Sequence, residues 1–207
     1  LDQRELLKIP SSQYNVLPFD SSASRFYTFF GVSSYTTILM PHKKMANSKR
    51  TVLITGCSEG GMGAALAIAF HEAGLHVWAT ARDLSKMTHL SSLGIKTLEL
   101  DIQSDSSITA CVSKVSSRDL DILVNNAGAS ASMPISDLSI PEAKKIFDVN
   151  VWSQLSITQA FLPLLLKSKG MIVNQTSVVS TMAVPFQSAY NASKAAMAIF
   201  SDSMRLE

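Results

Sequence analysis

Beyond residue 50 the chain alternates between short apolar runs and longer stretches of helix-forming residues. Thr51-Val52-Leu53-Ile54 is apolar at successive positions, the pattern of a strand buried on both faces. It leads into Thr55-Gly56-Cys57-Ser58-Glu59-Gly60-Gly61-Met62-Gly63, after which an Ala-rich helical stretch from Ala64 to Ala73 closes at Gly74. His76-Val77-Trp78-Ala79-Thr80 reads as a second strand and Leu98-Glu99-Leu100 as a third. Asp121-Ile122-Leu123-Val124 reads as a fourth and Met171-Ile172-Val173-Asn174-Gln175-Thr176 as a fifth, with helical segments between them. Such alternation implies a parallel sheet covered on both faces. With right-handed crossovers it becomes a doubly wound α/β fold of three layers, α/β/α.

Residues 1–44 follow a different pattern. They hold seven of the fifteen aromatic residues, yet show no sustained helical or strand period. The apolar stretch from Tyr27 to Met40 is broken by Gly31, Ser33, Ser34, Thr36 and Thr37, and is shorter than the ~18 residues a membrane span requires. Asp2 and Glu5 argue against a secretory or transit leader. Met45-Ala46-Asn47-Ser48-Lys49-Arg50 reads as a natural start. The expected organisation is therefore one α/β domain over 45–207, preceded by an extension over 1–44 that is disordered or an artefact of upstream read-through.

Charge removes one class of ligand. The net charge is +2, but residues 1–50 hold seven Lys/Arg against three Asp/Glu, and residues 51–207 hold eleven against thirteen. The globular part lacks the basic excess of a nucleic-acid binder. Cys57 and Cys111 are too few for a disulfide framework and read as small packing residues in a reducing, intracellular, cytoplasmic setting. His71-Glu72 with His76 has an i+5 spacing, off the face a zinc-binding helix needs, so no metal is expected. Asn174 and Asn191 match glycosylation sequons but fall in elements expected to be buried.

The glycine-rich segment between the first strand and first helix is where a Rossmann-type sheet binds pyrophosphate. Glycines permit close backbone approach, and the helix N-terminus offers free N–H groups and partial positive charge. At the end of the second strand, Thr80-Ala81-Arg82 provides no carboxylate for a ribose 2′-hydroxyl, while Arg82 suits a 2′-phosphate. NADP(H) is favoured, although Asp83 follows at once and would offset part of that charge. Tyr190 is the single tyrosine between Met45 and Glu207, and Lys194 lies four residues on, which places both on one helix face. A free phenol titrates near ~10, and a neighbouring ammonium favours its ionised form. Ser177, thirteen residues before Tyr190, follows the fifth strand at the sheet edge where such folds place ligands.

In these motifs the chain resembles the short-chain dehydrogenase/reductase family, over roughly residues 50–207. Thr55–Gly63 looks like its glycine motif, Asn125-Asn126-Ala127-Gly128 like its fourth-strand signature, and Tyr190-x-x-x-Lys194 like its active-site motif. Asn150, in Phe147-Asp148-Val149-Asn150-Val151, matches its catalytic Asn, and Asp101-Ile102 the pair beside the adenine ring. The glycine spacing departs from the family's Thr-Gly-x-x-x-Gly-x-Gly by one residue. That variant, with Ala79-Thr80-Ala81-Arg82, is similar to NADPH-dependent 1-acyldihydroxyacetone-phosphate reductases, which act on lipid intermediates at the endoplasmic reticulum and lipid droplets.

The resemblance implies roles. Tyr190 is the general acid–base, Lys194 holds the nicotinamide ribose and assists the phenol, Ser177 polarises the substrate oxygen, and Asn150 positions a relay water. Gly56, Ser58, Gly61, Met62, Gly63, Arg82, Asp101, Ile102, Asn126, Ala127 and Gly128 contact the cofactor along with Tyr190 and Lys194, and Asn125 ties neighbouring strands together. The substrate is a small carbonyl compound or alcohol, lipid-like by the subgroup match, and a homo-oligomer is family-typical. Met87 and Phe186 read as core residues, with substrate contact the alternative for Phe186. Family members continue past the equivalent of Glu207, so the chain reads as C-terminally truncated, its sheet incomplete at that edge. Two readings stay beside the oxidoreductase: a chain that only binds the nucleotide, and a sugar-nucleotide epimerase, which the glycine spacing and the Asn-Asn-Ala-Gly signature oppose.

Overall fold

A computed structural model describes residues 49–207 in full, together with the backbone of two strands, 25–31 and 34–40. In chain order the elements are β1 (Arg25–Gly31), β2 (Ser34–Met40), β3 (Thr51–Thr55), α1 (Met62–Glu72), β4 (His76–Ala81), α2 (Thr88–Ser92) and β5 (Lys96–Glu99). There follow α3 (Asp105–Val115), β6 (Ile122–Asn125), α4 (Ile140–Phe147), α5 (Ser153–Ser168), β7 (Met171–Gln175) and α6 (Ser188–Leu206). The sheet order is β1-β2-β7-β6-β3-β4-β5, and the five strands from β7 to β5 are parallel. The chain winds outward from β3 to β5, then returns to place β6 on the other side of β3. The crevice at that reversal, above Thr55 and Asn125, is the ligand position of a doubly wound sheet.

Successive side chains of each central strand enter different layers, as a pleated sheet requires. Val52 and Ile54 of β3 join Ala64, Ala67, Met87 and Leu90 beneath α1 and α2. Leu53 joins Ile108, Val115, Ile157 and Phe161 beneath α3 and α5. Strands apolar at every position are thus accounted for by two covered faces. Cys57, Cys111 and Met87 are buried within these clusters. The third strand lies two residues earlier than its apolar pattern indicated, at Lys96–Glu99, because pairing with β4 sets its register.

Two observations bear on the sequence expectations. Within 1–44, β1 and β2 form an antiparallel hairpin, with β2 pairing to β7 at Thr36–Gln175 and Thr37–Asn174. A sheet edge recruits backbone N–H and C=O groups, which leaves no period in the sequence. The reading of 1–44 as a leader or artefact otherwise concerns residues outside the described ones. Phe186 is not a core aromatic: it is 64% exposed. Among the described residues, no helix is long and apolar enough to cross a membrane.

Candidate active site

The glycine loop is shaped by close contacts at Gly56, Gly61 and Gly63. Gly56 has φ +75°, and a Cβ there would stand 2.9 Å from the Ala127 Cα. A Cβ on Gly63 would collide with the Gly56 carbonyl oxygen and the Asn126 amide. Gly61 caps α1 with no side-chain acceptor, so the first N–H groups of that helix are not satisfied by a cap. Thr55 and Asn126 fix the loop from below. The Thr55 hydroxyl accepts from the N–H groups of Asn126 (3.0 Å) and Ala127 (2.9 Å), while Asn126 Nδ2 donates to the carbonyls of Thr55 (2.8 Å) and Gly56 (3.2 Å). On the other side, the Glu59 N–H donates to the Lys86 carbonyl at 2.9 Å. A loop too tight for a Cβ at Gly56 and Gly63, beside an uncapped helix start, fits a pyrophosphate.

Further along this edge, Arg82 is exposed and has no partner among the described residues. The Asp83 carboxylate is turned to Ser85, accepting from its N–H at 2.9 Å and its hydroxyl at 2.6 Å. Those bonds hold the carboxyl below the ordinary aspartate range and commit it to capping the turn Leu84–Met87. Arg82 is thus left open to an anionic group such as a 2′-phosphate. Beyond β5, Asp101 Oδ1 accepts from the Gln103 N–H at 3.0 Å, and Ile102 is buried.

A cleft of about 200 Å³ opens on this edge, lined by Met62, Asn126, Gly128, Ala129, Ser130, Gln175, Thr176, Tyr190 and Lys194. Arg82, Asp101 and Ile102 are not among its lining residues and follow β4 and β5. Tyr190 and Lys194 share one face of α6, with Lys194 Nζ 5.9 Å from the Tyr190 ring centroid. Lys194 is 4% exposed and donates to the Gln175 carbonyl at 2.8 Å. Burial pulls its pKa down from 10.5 to about 8. Ser177 heads the turn Val178–Ser180, its Oγ accepting from the Val179 N–H at 3.4 Å.

Asn150 lies in a π-helical turn, Asp148–Trp152, between α4 and α5. Its Oδ1 accepts from the Ala129 N–H (2.8 Å), and its Nδ2 donates to the Ala129 carbonyl (2.8 Å) and to Ser193 Oγ (3.0 Å). Ser193 Oγ in turn donates to the Tyr190 carbonyl at 2.8 Å. The amide is therefore a strut between the cleft wall and α6. Sequence reasoning did not single out Thr55, Ser193, Gln175 or Gln154, whose Nε2 donates to the Ala127 carbonyl at 2.9 Å. Thr55 and Ser193 lie inside the Thr55–Gly63 and Tyr190-x-x-x-Lys194 motifs, the one signal that could have found them.

Residues 50–207 match the short chain dehydrogenase family model. A short-chain dehydrogenase/reductase of Pestalotiopsis microspora is 63% identical over 163 residues, 79% of this chain and 55% of that protein. The NADPH-dependent 1-acyldihydroxyacetone phosphate reductase of Schizosaccharomyces pombe is 44% identical, over 77% of this chain and 55% of its own. The chain thus spans little more than half the length of these relatives. Among solved structures, a short-chain dehydrogenase from Streptomyces avermitilis aligns with TM-score 0.71 at 29% identity, covering 77% of this chain and 61% of that one. An alcohol dehydrogenase from Thermococcus sibiricus complexed with 5-hydroxy-NADP aligns at 0.69 and 25% identity, covering 77% and 71%.

Proposed function

The chain belongs to the short-chain dehydrogenase family, and on that premise we propose an NADP(H)-dependent oxidoreductase that interconverts a carbonyl and a secondary alcohol. The observation that carries this reading is the pairing of Tyr190 and Lys194 in the cleft that the glycine loop opens into. NADPH, when bound, supplies the hydride. The phosphates are assigned to the α1 N-terminus with Gly56, Ser58, Gly61, Met62 and Gly63, and the 2′-phosphate to Arg82. Asp101 and Ile102 are assigned to the adenine side, and Asn126, Ala127 and Gly128 to the crevice floor.

Tyr190 Oη gives its proton to the carbonyl oxygen in reduction and takes it back in oxidation. Lys194, held by Gln175, places its ammonium beside the phenol, where it favours the charge left by proton transfer, and faces the nicotinamide ribose. Ser177 Oγ donates to the substrate oxygen as negative charge gathers there. Asn150, its side chain committed to Ala129 and Ser193, keeps α6 at a fixed distance from the cleft wall.

An acyl-dihydroxyacetone phosphate or a similar lipid-like ketone is the proposed substrate, supported by the activity for which the fission yeast relative is named and by the Ala79–Arg82 pattern. Action at a lipid surface inside the cell belongs to the same reading, as does a homo-oligomer. A second reading, in which these 207 residues bind nucleotide without turnover, draws on the share of each relative that they span.

Fluorescence titration with NADPH and NADH, followed by turnover assays, separates the two. The expected outcome is NADPH binding at least ~10-fold tighter than NADH, a preference lost in Arg82→Ala, since one charge-assisted contact is worth about that factor. Tyr190→Phe should abolish turnover while leaving NADPH binding largely intact. Appreciable activity in that variant would sink the acid–base assignment. Binding without turnover in the parent chain selects the second reading.

A further inference from the structure

We propose that Phe186 selects substrates with an apolar group flanking the reacting carbon, an inference that rests on the oxidoreductase reading of the Tyr190 cleft. Phe186 has φ +64°, in the left-handed region that a bulky aromatic rarely occupies. The other non-glycine residue with positive φ among the described ones, Lys169, closes α5, where that conformation is an ordinary helix ending. Phe186 closes nothing.

Three hydrogen bonds impose its conformation. The Phe186 carbonyl accepts from the Met133 N–H at 2.7 Å, the Val184 carbonyl accepts from Asn191 Nδ2 at 2.9 Å, and Gln187 Nε2 donates to Ser132 Oγ at 3.3 Å. Burial of the ring does not offset the strain, because the residue is 64% exposed. Strain that the surroundings over-determine and that folding does not repay is the kind found at ligand clamps.

Its position gives that strain a use. Phe186 lies four residues ahead of Tyr190, at the end of the segment that starts with Thr176 in the cleft wall. Met133, its partner, lies three residues beyond Ser130, which also lines the cleft. The bond therefore ties together two segments that each run out of the cleft lining. Exposed apolar residues stand on both sides, Met182 (56%) on the Phe186 segment and Ile135 (74%) on the Met133 segment. Exposed apolar side chains on the two segments that leave a polar cleft match a ketone whose carbonyl enters the cleft and whose hydrocarbon flank stays outside it.

The test uses the full chain saturated with NADP+, which has no hydride to give, so that the probes 2-butanone and 2-decanone bind without turnover and their affinities are measured by calorimetry. Phe186→Gly removes the ring yet accepts the left-handed backbone, so thermal stability should be equal or higher and NADPH affinity unchanged. The ratio of 2-decanone to 2-butanone affinity should fall about tenfold, the discrimination typical of one apolar contact. An unchanged ratio overturns the proposal. So does a fall in thermal stability with equal loss for both ketones, which would make the ring structural. If the parent chain binds no NADPH, the oxidoreductase reading itself fails, and that is seen before the variant is made.

Discussion

Lys194 sets burial against charge. At 4% exposure it has one bond in the structure, to the Gln175 carbonyl, and loss of water brings its pKa down from 10.5 to about 8. The sign of the consequence is fixed by linkage. Between about pH 8 and 10.5 the unfolded chain holds this proton more firmly than the folded chain, so folding becomes more favourable as pH rises through that window. Below pH 8 the cost of burying the ammonium is present in full. Relative to Lys194→Met, the parent should therefore gain stability from pH 7 to pH 10.5, by at most about 3 kcal/mol. Urea unfolding of both proteins across that range measures the difference. A flat difference would mean the ammonium is solvated or paired where the structure buries it. The pair itself was legible, because a spacing of four states a shared helix face without any fold. The Gln175 carbonyl was not, since a backbone acceptor carries no signature in residue type. Asn150 was legible as a site residue, but the commitment of its amide to Ala129 and Ser193 depends on a π-helical turn that no periodicity announces.

At the scale of elements, buried amides join layers that the apolar core only presses together. Asn125 Nδ2, at the end of β6, donates to Thr158 Oγ1 of α5 and to Asn174 Oδ1 of β7, both at 2.9 Å, and Asn174 Nδ2 reaches Ser201 of α6 at 3.1 Å. Asn125 and Asn174 are 1% and 3% exposed, so removing either leaves its partner without water to replace it. Asn125→Ala should cost about 2–3 kcal/mol, and Asn174→Ala a similar amount. The double variant should cost clearly less than their sum, because the second deletion removes a group already orphaned. Strictly additive losses in a double-mutant cycle would show that the two amides act separately. This network explains why Asn125, read from sequence as tying strands together, reaches two helices as well. It also explains why the sequon at Asn174 lies in a buried strand. The strands themselves were legible to within two residues, since their apolar runs needed only two covered faces. The β1–β2 hairpin was not, because edge pairing draws on backbone groups that every sequence has.

For the whole molecule, two opposite requirements fall on the same pair of helices. The inner faces of α5 and α6 hold Ile157, Phe161, Lys194 and Met197 in the interior. Their outer faces carry Trp152, Leu162 and Leu166, and Ile199 and Leu206, at 38–79% exposure. Ile199 and Leu206 are seven residues apart and Leu162 and Leu166 four, spacings that line up side chains along one helix face. Trp152 and Phe200 join the two stripes edge to face, with ring centroids 6.2 Å apart. An apolar surface shared by two rigid helices is better covered than left in water. The occupant that fits the oligomer proposed above is a second copy, since a twofold contact lets one stripe meet its own image. Sedimentation at micromolar concentration should then show a dimer or larger, and Leu166→Glu or Ile199→Glu should shift it toward monomer with thermal stability little changed. These substitutions stand on surface positions, so a collapse of the fold is not expected. A parent chain that sediments as a monomer throughout would leave the stripe without a self-partner. The topology that places these helices follows from strand and helix alternation alone. The stripes are harder to see there, because the Ala-rich turns of α6 blur its outer face until burial separates one side from the other.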